Sequence, residues 1–307
     1  MHWRLLCVNM RTRLPLGELL EASQLKKSWL KRLALLLEVL VLVYIAVCIY
    51  FWATQKQHIF HPESELQTTP ARVGMAYQVV HIPVGNGTGR GELYGWWIPA
   101  DKSGAPTLYY LHGNFRNISN DMIQAHLLHE WGYNLLLVDY RGFGLSTGGP
   151  PNESKVYQDA EAGWAYLLRQ QGVAPQRTFI YGHSLGGAIA VNLALHHPEA
   201  AGLILESTFT SMQAMGERDY DFLPVHLLLD QYFDSIDKIG RVRMPILLTH
   251  GTWDKTIPYR MSQQLYDQAP QPKTLLLIKG GEHNNSCSLD LVECHDAIDG
   301  FIRKYAH

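Results

Sequence analysis

A serine with a glycine two positions away on either side, Gly182-His183-Ser184-Leu185-Gly186, lies between an apolar run at 178–181 and an amphipathic stretch that starts at Leu185. A serine at so tight a strand-to-helix turn takes strained backbone angles, and its neighbours two positions away must be small. Gly182 and Gly186 supply that room, and Gly187 lets the following helix approach the sheet. The turn lifts the hydroxyl above the strand ends, beside a helix N-terminus where a developing oxyanion is favoured. A Gly-x-Ser-x-Gly string alone is a weak signal. Its place between a strand and a helix makes Ser184 the candidate nucleophile.

Serine needs a base within hydrogen-bond reach and a group to orient that base. With 15 histidines in the chain, position has to choose among them. His283, in KGGEHNN, follows the last strand and precedes the terminal helix. For the acid, HGTWDKTIP puts Asp254 in the loop after the strand at 245–250; Glu206, ending the preceding strand in LILESTF, is the competitor. The order Ser, Asp, His along the chain fits an α/β arrangement and differs from the chymotrypsin and subtilisin orders. The turn His112-Gly113-Asn114 brings backbone N–H groups over the nucleophile, so the N–H groups of Asn114 and Leu185 are the candidate oxyanion donors. Asp139 ends another strand, but it stands before a Gly-rich loop and reads as structural.

The elements that must position these residues alternate. Strand signals fall at 77–84 and 92–99, an early antiparallel pair joined by GNGTGRG, and then at 107–111, 134–139, 178–181, 202–206, 245–250 and 274–278. Helical stretches lie at 122–131, 156–171, 185–196, 259–268 and 289–304. Eight strands with interleaved helices predict a doubly wound, mostly parallel α/β sheet, with function at the carboxyl ends of its strands. Residues 207–239 form a short lid insert, too small to build a large cap domain.

Ahead of this catalytic domain, placed at 75–307, come a basic segment at 1–32, an apolar run at 33–52 and a polar linker at 53–74. The apolar run is twenty residues with only Glu38 charged, the length of a transmembrane helix, with Tyr50 and Trp52 at its far end. A buried core helix, a cleaved signal peptide and a lipoprotein signal at Cys48 are the alternatives. They fit less well: the run has no polar stripe, its n-region exceeds thirty residues and Val47 precedes Cys48. Arg4, Arg11, Arg13, Lys26, Lys27, Lys31 and Arg32 precede the run, against Glu18 and Glu21, and Lys56 follows it. The positive-inside rule then places the N-terminus in the cytoplasm and the catalytic domain on the far side.

The net charge of -2, with no basic patch in the main body, argues against nucleic-acid binding. Of the four cysteines, none is spaced for zinc. On one continuous helix Cys287 and Cys294 would stand about 10 Å apart, too far for a disulfide. The expectation is two unpaired thiols, unless Cys287 lies in the loop before the helix. No metal or organic cofactor is implied.

Together LHGN, DYRGFGLSTG, GHSLGG, HGTWD and GGEHN resemble the α/β-hydrolase superfamily, including its serine-aminopeptidase-like grouping, from about residue 75 to 305. The insert, with FLPVHLLLDQYFDS, resembles the abhydrolase-domain, Bem-type branch of single-pass membrane serine hydrolases. That resemblance implies the roles named above for Ser184, Asp254, His283, Asn114 and Leu185. It also implies an acyl ester, thioester or lipid-like substrate, with the bilayer held through the N-terminal helix. One departure is Phe115 in GNFRN, where a bulky ring is expected to narrow the acyl pocket. A peptidase is the second reading and a non-catalytic binding protein on the same scaffold the third. The oligomeric state is not legible.

Overall fold

A computed structural model of the chain describes residues 16–87 and 90–306. Arg4, Cys7, Arg11 and Arg13, residues 88–89 of the GNGTGRG segment and His307 lie outside the described residues. The chain divides into two compact units between Trp52 and Ala53. Helix α1, Leu16–Ile59, carries the apolar run. Over Gln24–Ile59 it is long and apolar enough to cross a membrane, and none of its apolar window is buried. A signal sequence shares that length and composition.

The second unit begins earlier than the sequence suggests. Residues 53–74 were expected to be a linker, yet Ala53 to Ile59 continue the helix, and Gln55, Ile59, Phe60 and Pro70 are buried. Strand β1, His61–Pro62, follows at once. The main sheet is built from β2 (Gln78–Val84), β3 (Gly91–Ile98), β4 (Thr107–Leu111), β6 (Asn134–Val138), β7 (Thr178–His183), β8 (Gly202–Glu206), β9 (Ile246–Gly251) and β10 (Lys273–Ile278). Its order is β10-β9-β8-β7-β4-β6-β3-β2. Only β3 pairs antiparallel, with β2 on one side and β6 on the other; the remaining pairings are parallel. A separate parallel pair joins β1 to β5, Phe115–Arg116, which the sequence did not foreshadow.

Burial explains the pattern. The central strands β4, β7, β8 and β9 are buried at every position, and their sequences are correspondingly near-continuous apolar runs. Edge strand β2 instead alternates, with Val80, Ile82 and Val84 inward. Helices cover both faces. One core face takes Val156 and Trp164 of α3 (Glu153–Arg169), Ile189 of α4 (Leu185–His196) and Leu265 of α8 (Arg260–Gln268). The other takes Leu128 of α2 (Met122–Glu130) and Ile298 and Ile302 of α10 (Leu291–Tyr305). The chain goes from β4 to β6 on one side and returns to β7 on the other, so the strand order reverses between β4 and β7. A crevice opens at such a switch point, outside the carboxyl ends of the strands.

The insert contains α5 (Met212–Asp219), α6 (Val225–Leu228) and α7 (Ile236–Ile239). Ser211 starts α5 by accepting a hydrogen bond from the Ala214 N–H. One expectation is overturned here: Cys287 and Cys294 form a disulfide, with Cα atoms 5.2 Å apart. The helix is not continuous. Cys287 sits in the short α9 (Ser286–Leu289), and the chain turns at Asp290 before α10 begins.

Candidate active site

Ser184 occupies the turn between β7 and α4 with φ 54° and ψ -121°, a conformation that costs a non-glycine residue about 1–3 kcal/mol. Three hydrogen bonds hold it there. Its N–H donates to Glu206 O at 2.9 Å, and its carbonyl accepts from Gly187 N–H at 3.0 Å and from Thr208 Oγ1 at 2.8 Å. The small neighbours are required by space: a Cβ on Gly182 would overlap Gly186 O, and one on Gly186 would overlap Leu111 O.

His283, after β10, places Nε2 3.0 Å from Ser184 Oγ and Nδ1 2.7 Å from Asp254 Oδ2. The structure thus brings together Ser184, His283 and Asp254. Asp254 also accepts at Oδ1 from the N–H groups of Thr256 and Ile257, both at 2.8 Å. Burial by itself would raise its pKa. Hydrogen bonds from His250 and His283, the nearby charge of His283 and the Ile257 N–H outweigh burial and hold it well below the usual carboxylate range. The competitor Glu206 is bound elsewhere, its Oε2 accepting from Tyr181 O–H at 2.5 Å. Asp139 accepts from Ile118 N–H at 2.8 Å and supports the loop after β4. His112 is fully buried against Tyr140, and burial lowers its pKa to about 3, so it stays neutral.

Leu185 is the first residue of α4, so its N–H has no partner within the helix. A Cβ placed on Gly113 would lie 3.5 Å from Ser184 Cβ, so the turn before Asn114 stands beside Ser184. Phe115 departs from expectation: it is 51% exposed, with the Arg116 guanidinium 5.2 Å over its ring, and lies largely at the surface instead of inside a pocket. Among the described residues no group of His, Cys, Asp and Glu is arranged to hold a metal ion.

Two contributors escaped the sequence reading. His250, fully buried at the end of β9, bonds Asp254 Oδ2 through Nε2 at 3.0 Å and Ser262 Oγ through Nδ1 at 2.7 Å. His183 reaches the carbonyl of His283 at 3.2 Å and holds that residue in place. Both lie inside the quoted motifs HGTWD and GHSLGG, but only the neighbouring letters had been given roles.

Residues 106–235, from β4 through most of the insert, match the family model described as Serine aminopeptidase, S33. The chain is 34% identical to the uncharacterized protein Rv2307c of Mycobacterium tuberculosis over 269 residues, 87% of this chain and 94% of that one. It is 32% identical to the human alpha/beta hydrolase domain-containing protein 17B over 184 residues, 58% of this chain and 60% of that protein. Among solved structures, an esterase of Pyrococcus furiosus, Pf2001, superposes with a TM-score of 0.67 at 21% identity, covering 80% of this chain and all of the other. With a mostly parallel eight-stranded sheet, this family-model match and these relatives, the chain belongs to the α/β-hydrolase superfamily.

Proposed function

We propose that this hydrolase is a membrane-anchored serine enzyme that cleaves acyl esters or thioesters through an acyl-enzyme on Ser184. The observation that carries the reading is the pair of bonds made by one imidazole, to Ser184 Oγ through Nε2 and to Asp254 through Nδ1. Ser184 Oγ attacks the acyl carbonyl as His283 Nε2 takes its proton. The oxyanion gathers the N–H groups of Asn114 and Leu185. On collapse the C–O or C–S bond breaks, and His283 returns the proton to the departing alcohol or thiol. Water, activated by the same histidine, then releases the acid and restores Ser184.

A lipid-like acyl chain is favoured by exposed apolar side chains of the insert and of the Asp254 loop. In the insert Leu223 and Val225 are buried, whereas Phe222 and Leu227 stand exposed. Trp253, on the loop that carries Asp254, is exposed as well. Large apolar side chains left exposed suit an acyl or bilayer surface better than water. Two features support an extracytoplasmic catalytic domain: the basic residues before the apolar run, and a disulfide in the domain, since such bonds persist in oxidising compartments.

An aminopeptidase is the second reading, favoured by the description of the matching family model. It needs a carboxylate for the substrate's amino group, and the two acids weighed for the site are engaged, Asp254 by two histidines and Glu206 by Tyr181. The deciding experiment treats the detergent-solubilised chain with a fluorophosphonate probe and assays acetate esters, long-chain esters, thioesters and aminoacyl amides. Labelling of the wild type, none of Ser184→Ala, and preference for long acyl chains are expected. Equal labelling of both proteins rejects Ser184, and preference for aminoacyl amides transfers the reading to the peptidase.

A further inference from the structure

The loop after β4 carries the Asn114 N–H, and it is held from outside the sheet. Ile59 ends α1, so its carbonyl is one of those a helix leaves without an internal partner. Asn114 supplies that partner, its Nδ2 donating to Ile59 O at 2.6 Å. Two residues on, His61 N–H donates back to Asn114 O at 2.9 Å, and β1 continues the pairing with His61 opposite Phe115 and Pro62 opposite Arg116. Glu63 N–H then donates to Arg116 O at 3.1 Å. These bonds use the side chain and carbonyl of Asn114 and leave its backbone N–H to the reaction. Arg116 sits at φ 61°, a left-handed conformation that a non-glycine residue keeps only where its surroundings enforce it.

The same short segment grips the insert. Gln55, buried, donates from Nε2 to Leu228 O at 3.2 Å and accepts from Asp230 N–H at 2.8 Å. Phe60 packs edge-on against Phe143 on one side and Phe233 of the insert on the other, at centroid distances of 6.4 and 6.0 Å.

We propose that residues 55–63 are a positioning strap for the reaction: they set the height of the Asn114 N–H over Ser184 and tie it to the insert. The foot of the apolar helix is then a working part of the oxyanion site and not a passive tether. The proposal rests on the oxyanion role assigned to Asn114 above. Asn114 and its strap partners act as positioning residues through that one peptide. Without Nδ2, the loop loses its hold on Ile59 while the peptide N–H itself remains.

The test uses the full chain in detergent with Asn114→Ala and Asn114→Asp, neither of which can donate to Ile59 O, and with Phe60→Leu, which loosens the strap from its far side. Removing an oxyanion donor outright costs about 100- to 1,000-fold; for a displaced donor a fall in kcat of about tenfold to a hundredfold is expected, with KM within about twofold. Affinity for a trifluoromethyl ketone, whose adduct places an oxyanion at the site, should fall in proportion to kcat/KM. Circular dichroism and fluorophosphonate labelling of Ser184 should persist. Wild-type kcat in a folded Asn114→Ala chain, or a loss confined to KM, overturns the strap. If Asn114→Ala does not fold, the same two readouts on Phe60→Leu decide. Failure to label Ser184 in the wild type instead overturns the hydrolase reading itself, so the two failures are told apart.

Discussion

Asp254 Oδ2 accepts hydrogen bonds from two imidazoles, His283 Nδ1 at 2.7 Å and His250 Nε2 at 3.0 Å. His250 Nε2 also lies 2.9 Å from Ile257 O, and two acceptors around one nitrogen require that nitrogen to carry the proton. With Oδ1 taking two backbone N–H groups, the carboxylate is anchored on every side and presents one fixed lone pair to His283.

Truncation of His250 should therefore impair turnover without touching substrate. A hydrogen bond to a charged group is worth about 1.5–3 kcal/mol, so His250→Ala should lower kcat by about tenfold to a hundredfold while KM holds. His250→Gln, which can still donate to Oδ2, should recover part of the loss. Steady-state kinetics that return a pure KM effect would remove His250 from the relay.

Asp254→Asn presents an amide to His283 in place of a carboxylate, and the corresponding change in a serine protease costs about 10,000-fold in kcat. Glu206→Gln keeps an acceptor for Tyr181 O–H and should change kcat by no more than about threefold, a change of about 0.6 kcal/mol. The reverse ranking would reassign the acid.

Acid should weaken the fold through Asp254. Its folded pKa is depressed below the ordinary value of about 3.9, so its stabilisation is complete above that value and is lost as pH falls through it toward the folded pKa. Asp121 and Asp159 act oppositely. Burial raises each to about 6, so their contribution declines as pH rises from the ordinary carboxylate value toward 6. Comparing wild type with Asp254→Asn isolates the first effect: the gap between their urea midpoints should shrink as pH is lowered from 6 to 3. A constant gap would contradict it.

Gly186→Ala should destroy the turn at Ser184. The added methyl would overlap Leu111 O at the end of β4 and come within 2.6 Å of His112 O, in the loop that carries Asn114. Probe labelling and turnover should vanish together; normal turnover would show that the turn can yield.

The orientation of the domain can be read from its sulfurs. A reporter fused after His307 should be active only outside the cytoplasm. In protein isolated without reductant, Cys287 and Cys294 should resist maleimide and label once reduced. A reporter active only in the cytoplasm, or two freely labelled thiols, would place the domain on the other side.

The sequence by itself determined what depends on neighbours along the chain. Buried strands read as short apolar runs because both of their faces are covered, and α4 was legible to its first and last residue, Leu185 and His196. Ser184 stood out because a tight turn admits only small residues at Gly182 and Gly186, a constraint written within five letters. Tertiary structure decided what depends on chain closure. The stretch at 53–74 looked polar and slack, and its place in the core rests on Ile59 and Phe60 packing against residues far along the chain. A two-residue strand such as β1 is too short to show a period, so its pairing with Phe115 and Arg116 has no sequence signature. The Cys287–Cys294 bond turned on the break at Asp290, and the role of His250 on which way its ring faces at the end of β9. Local sterics are encoded locally; hydrogen bonds between distant segments are set only when the sheet brings them together.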